Sequence, residues 1–246
     1  MIRAFICMIF LGACLPAFAA KNTVAVLYFS TSTTSEKLKG LEVGLAQMLI
    51  TDLSGKGDFD VVEREKLQAI LDELELGHKG IADPASAAKI GKLLGARYML
   101  MGSYMEIMNT LRVDARLVEV ETSKIVGAHG VNGAPEAFMS MEAELAEFAL
   151  KALASSLPKP DGVPASAPRP APTTREGTRG APQPVGPAEG IDAPDPKALE
   201  AAVAFSEGLI FMDSGSKPKA RESFQAALAA KPDLVDAKIA LAKLEI

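Results

Sequence analysis

Along the first 157 residues the spacing of apolar positions changes several times, and each change marks an element. "TVAVLYF" (23–29) is an almost unbroken apolar run rich in β-formers, which predicts a buried strand. The polar tract from Ser30 to Ser35 follows, and Thr33 with Glu36 forms a capping-box pair. Leu38, Leu41, Leu45, Met48 and Leu49 then recur at helical spacing, ending near Gly55. "FDVVE" (59–63) predicts a second strand, and Leu67, Ile70, Leu71 and Leu74 form one face of a helix over 65–76. Asp83-Pro84 and Gly95 bracket a short helix with Ile90, Leu93 and Leu94 inward.

"RYMLMGSYM" (97–105) predicts the next strand. In "TLRVDARLVEV" (110–120), Leu111, Val113, Ala115 and Leu117 alternate with Arg112, Asp114 and Arg116, so this strand has one wet face. The turn "ETSK" leads into "IVGAHGV" (125–131), and a last helix over 135–157 buries Phe138, Met141, Leu145, Phe148 and Ala152. The order β-α-β-α-α-β-β-β-α describes an α/β (α+β) domain, residues 20–157. It predicts a mixed sheet with helices packed chiefly on one face.

Residues 158–196 hold eleven of the sixteen prolines, mixed with Ala, Gly, Thr and scattered charge. Such a segment cannot bury enough apolar area to order itself, and predicts a disordered, solvated linker between two folded pieces. Residues 197–246 are Ala-rich and helical: one helix from Asp195-Pro196 through Met212, a second over 217–230 after Gly215, and a third from Pro232-Asp233.

The N-terminus is set apart. Arg3 precedes an apolar stretch from Ala4 to Leu15 that is too short to span a bilayer, and Ala17-Phe18-Ala19 forms an A-x-A site. Residues 1–19 therefore read as an export signal. "LGAC" (11–14) also resembles a bacterial lipobox, which would make Cys14 a lipidated anchor, so two routes of processing stand open. Cys7 and Cys14 are the only cysteines, and both lie in this segment, so the remainder has neither disulfide nor thiolate nucleophile.

A net charge of −5 gives no excess of Lys and Arg to neutralise phosphates, and with aromatics at 5% and no Trp, stacking platforms are scarce. Nucleic-acid binding is not expected. "GDFDVVEREKLQAILDELEL" (57–76) carries seven acids, Asp58, Asp60, Glu63, Glu65, Asp72, Glu73 and Glu75. Catalytic carboxylates must converge with their pKa values pushed apart. Here most lie off the Leu67/Ile70/Leu71/Leu74 stripe, so they read as a solvated face with local ion pairing. His78 and His129 lack zinc-site spacing, and no nucleophile elbow or phosphate-cradling glycine loop is present. No catalytic residue, metal or cofactor is assigned. Methionines cluster at 99, 101, 105, 108, 139 and 141; Met99 and Met101 fit core filling, and Met105 and Met108 an adaptable exposed patch.

Two family resemblances sharpen the picture. "VAVLYF", "GDFDVVEREKLQAILDELEL", "AAKIGKLLGARYMLMGSY" and "VDARLVEVETSKIVGA" occur in the order found in the CsgG family, the curli production assembly/transport component. The channel members build a membrane barrel from two inserted hairpins. Here only "EIMN" separates the strand ending at Met105 from the one starting at Thr110, and "NGA" follows Val131, so the resemblance implies the fold without the pore. The C-terminal segment resembles a tetratricopeptide repeat: Gly208 at the small position, Phe211 at the aromatic one, Gly215 at the turn, and Ala220, Phe224, Ala227 and Pro232 on the second helix. Ala204 stands where Trp is common and Glu207 where Leu is usual. A generic three-helix hairpin is the competing description.

Together these readings lead to an exported, non-enzymatic envelope protein, periplasmic or an outer-membrane lipoprotein anchored through Cys14. It would contact other envelope or secreted proteins, or further copies of itself, with Met105, Met108, Phe211 and Phe224 as candidate contact residues. A periplasmic sensor domain for a small ligand or glycan is the alternative.

Overall fold

Continuous apolar runs became strands covered on both sides, and alternating runs became strands with a wet face. The computed structural model describes residues 22–33, 35, 38, 40–77, 81–157 and 195–245. The expected signal 1–19 with Cys14, the capping residue Glu36, His78 and residues 158–194 of the expected linker lie outside these residues. The strands are β1 (Thr23–Val26), β2 (Ser30–Thr31), β3 (Asp60–Val61), β4 (Tyr98–Ile107), β5 (Thr110–Glu119) and β6 (Lys124–Gly133). The helices are α1 (Leu41–Leu53), α2 (Arg64–Glu73), α3 (Pro84–Leu94), α4 (Phe138–Ser156), α5 (Pro196–Asp213), α6 (Lys217–Ala230) and α7 (Val235–Leu244).

The strands form one mixed sheet in the order β3-β1-β4-β5-β6, with β2 also pairing β4. β1 is parallel to β3 and β4, and β4-β5-β6 is an antiparallel meander. Neighbours along β4 point to opposite faces. Tyr98 Oη donates to the Ser156 carbonyl of α4 at 2.8 Å, while Met99 lies against α3, where a Cβ on Gly91 would come within 2.9 Å of its Cγ. Thus α4, with α1 packed beside it, covers one face, and α3 covers only one end of the other. Leu111, Val113, Ala115 and Leu117 are buried as their alternation predicts, and Arg112 and Arg116 are exposed opposite them.

Several expectations need correction. α1 starts at Leu41 behind Gly40, which sits at φ 91° and makes no side-chain cap, rather than at the Thr33/Glu36 pair. Leu38 is nevertheless buried, its carbonyl accepting from Tyr104 Oη at 2.7 Å. The polar pair Ser30-Thr31 forms a strand because β4 offers it a parallel edge, which no apolar pattern announces. Leu74 is the C-cap of α2 and is 43% exposed. Leu93 is 57% exposed because the buried stripe of α3 runs through Ala87, Ile90, Gly91 and Leu94, a turn position away.

The C-terminal helices begin and end close to their predicted limits. The expectation of two folded pieces held apart is revised, because α5 packs on α1 and one core joins Leu45 and Leu49 to Phe205, Leu209 and Phe224. The contact is close because Gly44 has no side chain: a Cβ there would collide with Ser206 of α5.

Candidate partner-binding surfaces

The sheet projects one apolar point. β4 and β5 are joined by only Met108 and Asn109, and both have positive φ, 51° and 60°. Two left-handed residues in a row are the signature of the hairpin turn whose twist matches the strands. Asn accepts that conformation; methionine does so at a cost of about 1–2 kcal/mol. Met108 is 96% exposed and Ile107 60%, so strain and exposure coincide at one tip. Met105 lies farther down β4, half-buried on the face beyond α3, opposite Arg112. On β6 the register slips between Leu117 and Val118 of β5, which leaves Val126 unmatched in a bulge. Val126 and Ile125 are both exposed on this outermost strand.

The other expected contact residues behave differently. Phe224 is fully buried: its ring packs on Gly208, which leaves no room for a Cβ, and tilts against Phe205 with centroids 5.8 Å apart. It holds α5 to α6 and presents nothing to a partner, which corrects its assignment as a contact. Phe211 is half-buried, with Lys219 Nζ 5.4 Å above its ring. The seven acids of 57–76 are all exposed, as the spacing implied. His129 is paired, with Nε2 2.8 Å from Glu144 Oε1 and its ring stacked on Phe148.

What the sequence concealed is the seam between the sheet domain and α5–α7. Arg64, flanked by Glu63 and Glu65, is wholly buried, and its Nη1 donates to Asp213 Oδ2 of α5 at 2.7 Å and to Tyr28 Oη at 3.3 Å. Tyr28 Oη donates to Gln68 Oε1, whose amide in turn donates to Asp72. Burial opposes the Arg64 charge, but its hydrogen bond to Asp213 and the neighbouring groups outweigh it and raise its pKa. Burial pushes the Tyr28 hydroxyl up to about 12 against the pull of Arg64. A second polar group ties α7 to α1 and α2. Thr51 Oγ1 of α1 donates to Asp236 Oδ1 of α7, and Lys243 of α7 reaches Glu65 of α2 at 3.0 Å.

Glu142 of α4 is 5% exposed, and its Oε1 has no hydrogen-bond partner among the described residues. Burial pushes this carboxyl up to about 8, Asp52 and Asp236 push it further, and Lys56 opposes them. Burial likewise raises Asp236, against the hydrogen bond from Thr51. A cavity of about 20 Å³ between α1, α5 and α7, beside Asp236, has room for one water. The described residues contain no cluster of three or more His, Cys, Asp or Glu able to hold a metal ion. No described helix is long and apolar enough to cross a membrane.

The family model for CsgG, the curli production assembly/transport component, matches residues 11–109. Residues 11–109 are thus similar to that family, and the match ends at the β4–β5 turn. In the α/β domain the β4–β5 connection is two residues and a single residue, Ala134, separates β6 from the following turn, so neither place holds an inserted hairpin. The chain is similar in structure to the C-terminal domain of LpoB from Salmonella enterica, at 19% identity and TM-score 0.39, covering 48% of this chain and 87% of that one. It is similar to the lipoprotein GNA1162 from Neisseria meningitidis, at 13% identity and TM-score 0.35, covering 55% and 99%. It is similar also to the PelC dodecamer from Paraburkholderia phytofirmans, at 16% identity and TM-score 0.31, covering 56% and 90%. No curated protein matches this chain.

Proposed function

We propose that this chain is an exported, non-enzymatic cell-envelope protein that mediates protein–protein interaction or assembly. It would be held in the periplasm, or at the outer membrane through a lipid on Cys14. The observation that carries this reading is the CsgG match over 11–109, on a domain whose hairpin connections are too short for membrane strands. In place of those strands the β4–β5 turn ends in Ile107 and Met108, an apolar tip that a binding partner or a second copy would cover. The helices α5–α7 act as a recruiting surface fixed to that domain through the Arg64–Asp213 pair and the Gly44–Ser206 contact. Their tetratricopeptide-like character is part of the same proposal.

Fractionation with intact-mass measurement tests where the protein works. The expected result is an envelope fraction containing either a chain that starts at Ala20 or a lipid-modified chain that starts at Cys14. A cytoplasmic chain of full length removes the export reading. Cross-linking from a photoreactive residue at position 108 tests the interaction reading. Adducts to other envelope proteins or to a second copy support it, and a chain that stays monomeric and unlinked in intact cells overturns it.

A further inference from the structure

Helix α5 is apolar on two sides, one fully buried in the core and the other packed against it only in part. Ala198, Ala201, Ala202, Phe205 and Leu209 are buried. On another side Leu199, Val203 and Ala204 form the floor of an open groove of about 490 Å³. Three carboxylates line the groove, Glu200 and Glu207 from α5 and Glu136 from the turn before α4, and among the described residues no cation does. Ala204 and Glu207 are also the two positions that depart from the repeat pattern: a small residue leaves the floor open, and an acid takes the place of an apolar one.

We propose that this groove binds a basic amphipathic helical segment of another protein, with apolar side chains on Leu199, Val203 and Ala204 and Lys or Arg over the three glutamates. The proposal rests on the interaction reading above and names its partner class. Charge complementarity selects the occupant. An acidic or uncharged segment would leave three carboxylates partly desolvated against apolar atoms with nothing opposite them, which costs more than apolar contact returns. Glu200 and Glu207 are seven residues apart, about 10 Å along the helix axis, so cations two turns apart on a partner helix meet both.

The test uses the full chain and a fluorescein-labelled 18-residue helical peptide with Leu at i, i+3, i+4 and i+7 and Lys seven residues apart. A control peptide carries Glu in place of each Lys. Anisotropy titration should show saturable binding of the Lys peptide that weakens as salt rises, and none of the Glu peptide. Glu200→Gln with Glu207→Gln should weaken binding by roughly three- to tenfold, as expected for exposed ion pairs. Val203→Asp should weaken it more than about tenfold, read at a temperature where circular dichroism shows the variant still folded. Failure of the Lys peptide to bind, or equal binding of both peptides, overturns the proposal. So does a dimer of the chain alone that Val203→Asp dissociates, because a second copy would then own the groove. Either failure leaves the fractionation and cross-linking results standing, so the partner class and the envelope reading fall separately.

Discussion

Glutamine at position 142 should remove much of the pH dependence of this protein's stability. Glu142 sits at the junction of α1, α4 and α7 with Asp52 and Asp236 facing it, and its carboxyl titrates near 8 instead of the ordinary 4.5. Between those two values the folded chain holds a proton that the unfolded chain has released, so stability falls as pH rises through that window. Holding the carboxyl near 8 costs the folded state on the order of 5 kcal/mol once pH is above both values. About 3 kcal/mol of that accrues between about pH 5.5 and pH 8.5. Glutamine keeps the shape and carries no proton to lose. Urea denaturation followed by circular dichroism at those two pH values should therefore show a large fall for the wild-type chain and a much smaller one for Glu142→Gln. The variant should be the more stable protein at the higher pH. Burial raises Asp236 too, so any contribution it makes has the same sign as that of Glu142. Parallel pH profiles for wild type and Glu142→Gln would refute the reasoning, because the buried carboxyl would then be titrating like a free one.

Three further predictions address the seam and the hairpin. Asp213→Ala leaves Arg64 charged and buried without its carboxylate, and should cost about 3–5 kcal/mol in chemical denaturation; a loss below about 1 kcal/mol would mean that the guanidinium escapes to water. Gly44→Ala places a methyl group where Ser206 sits, and should cost about 1–3 kcal/mol while exposing α1 and α5 amides to faster hydrogen exchange. Unchanged exchange across both helices would show that the seam yields without opening. Met108→Gly relieves the left-handed strain at φ 51° and should raise stability by about 1 kcal/mol, visible as a higher melting temperature, while weakening any contact made through the hairpin tip. A lower melting temperature would place the methionine side chain among the stabilising contacts.

Much of the sheet domain was legible because its strands declare themselves by period. Leu111 to Leu117 alternate cleanly, and Asp83-Pro84 with Gly95 frames α3 within a residue at either end. The seam was less legible, for a physical reason. Arg64 stands between two acids in a polar stretch, which is how a surface arginine looks, and its carboxylate lies 149 residues away. Only the fold brings them together. Glu142 did carry a signal: it falls on the buried stripe of α4 with Phe138, Met141, Leu145 and Ala149, one acid on an otherwise apolar face. Phe224 was placed correctly on its helix and wrongly toward a partner, because spacing gives the face of a helix and not what covers it. Met108 was recognised as exposed, but its positive φ follows from a two-residue turn whose length appears only once the strand ends are known.

Docking of α5–α7 changes what the Pro-rich segment has to do. The chain leaves the end of α4 at Leu157 and returns at Asp195, whose backbone N–H donates to the Glu136 carbonyl at 3.0 Å, beside the start of the same helix. The 19 residues of α4 span about 28 Å. The 37 residues of 158–194 have a covalent reach above about 100 Å, so the connection holds several times the length that docking demands. Its length is not what keeps α5–α7 in place, and their position depends on the seam itself: the Arg64–Asp213 pair, the absent side chain of Gly44, and the protonation of Glu142. While the seam holds, the Met108 tip and the α5 groove keep a fixed separation. A partner that touches both then binds the second without a further loss of freedom. Ionisation of Glu142, which faces Asp236 of α7, weakens the seam on which that arrangement depends.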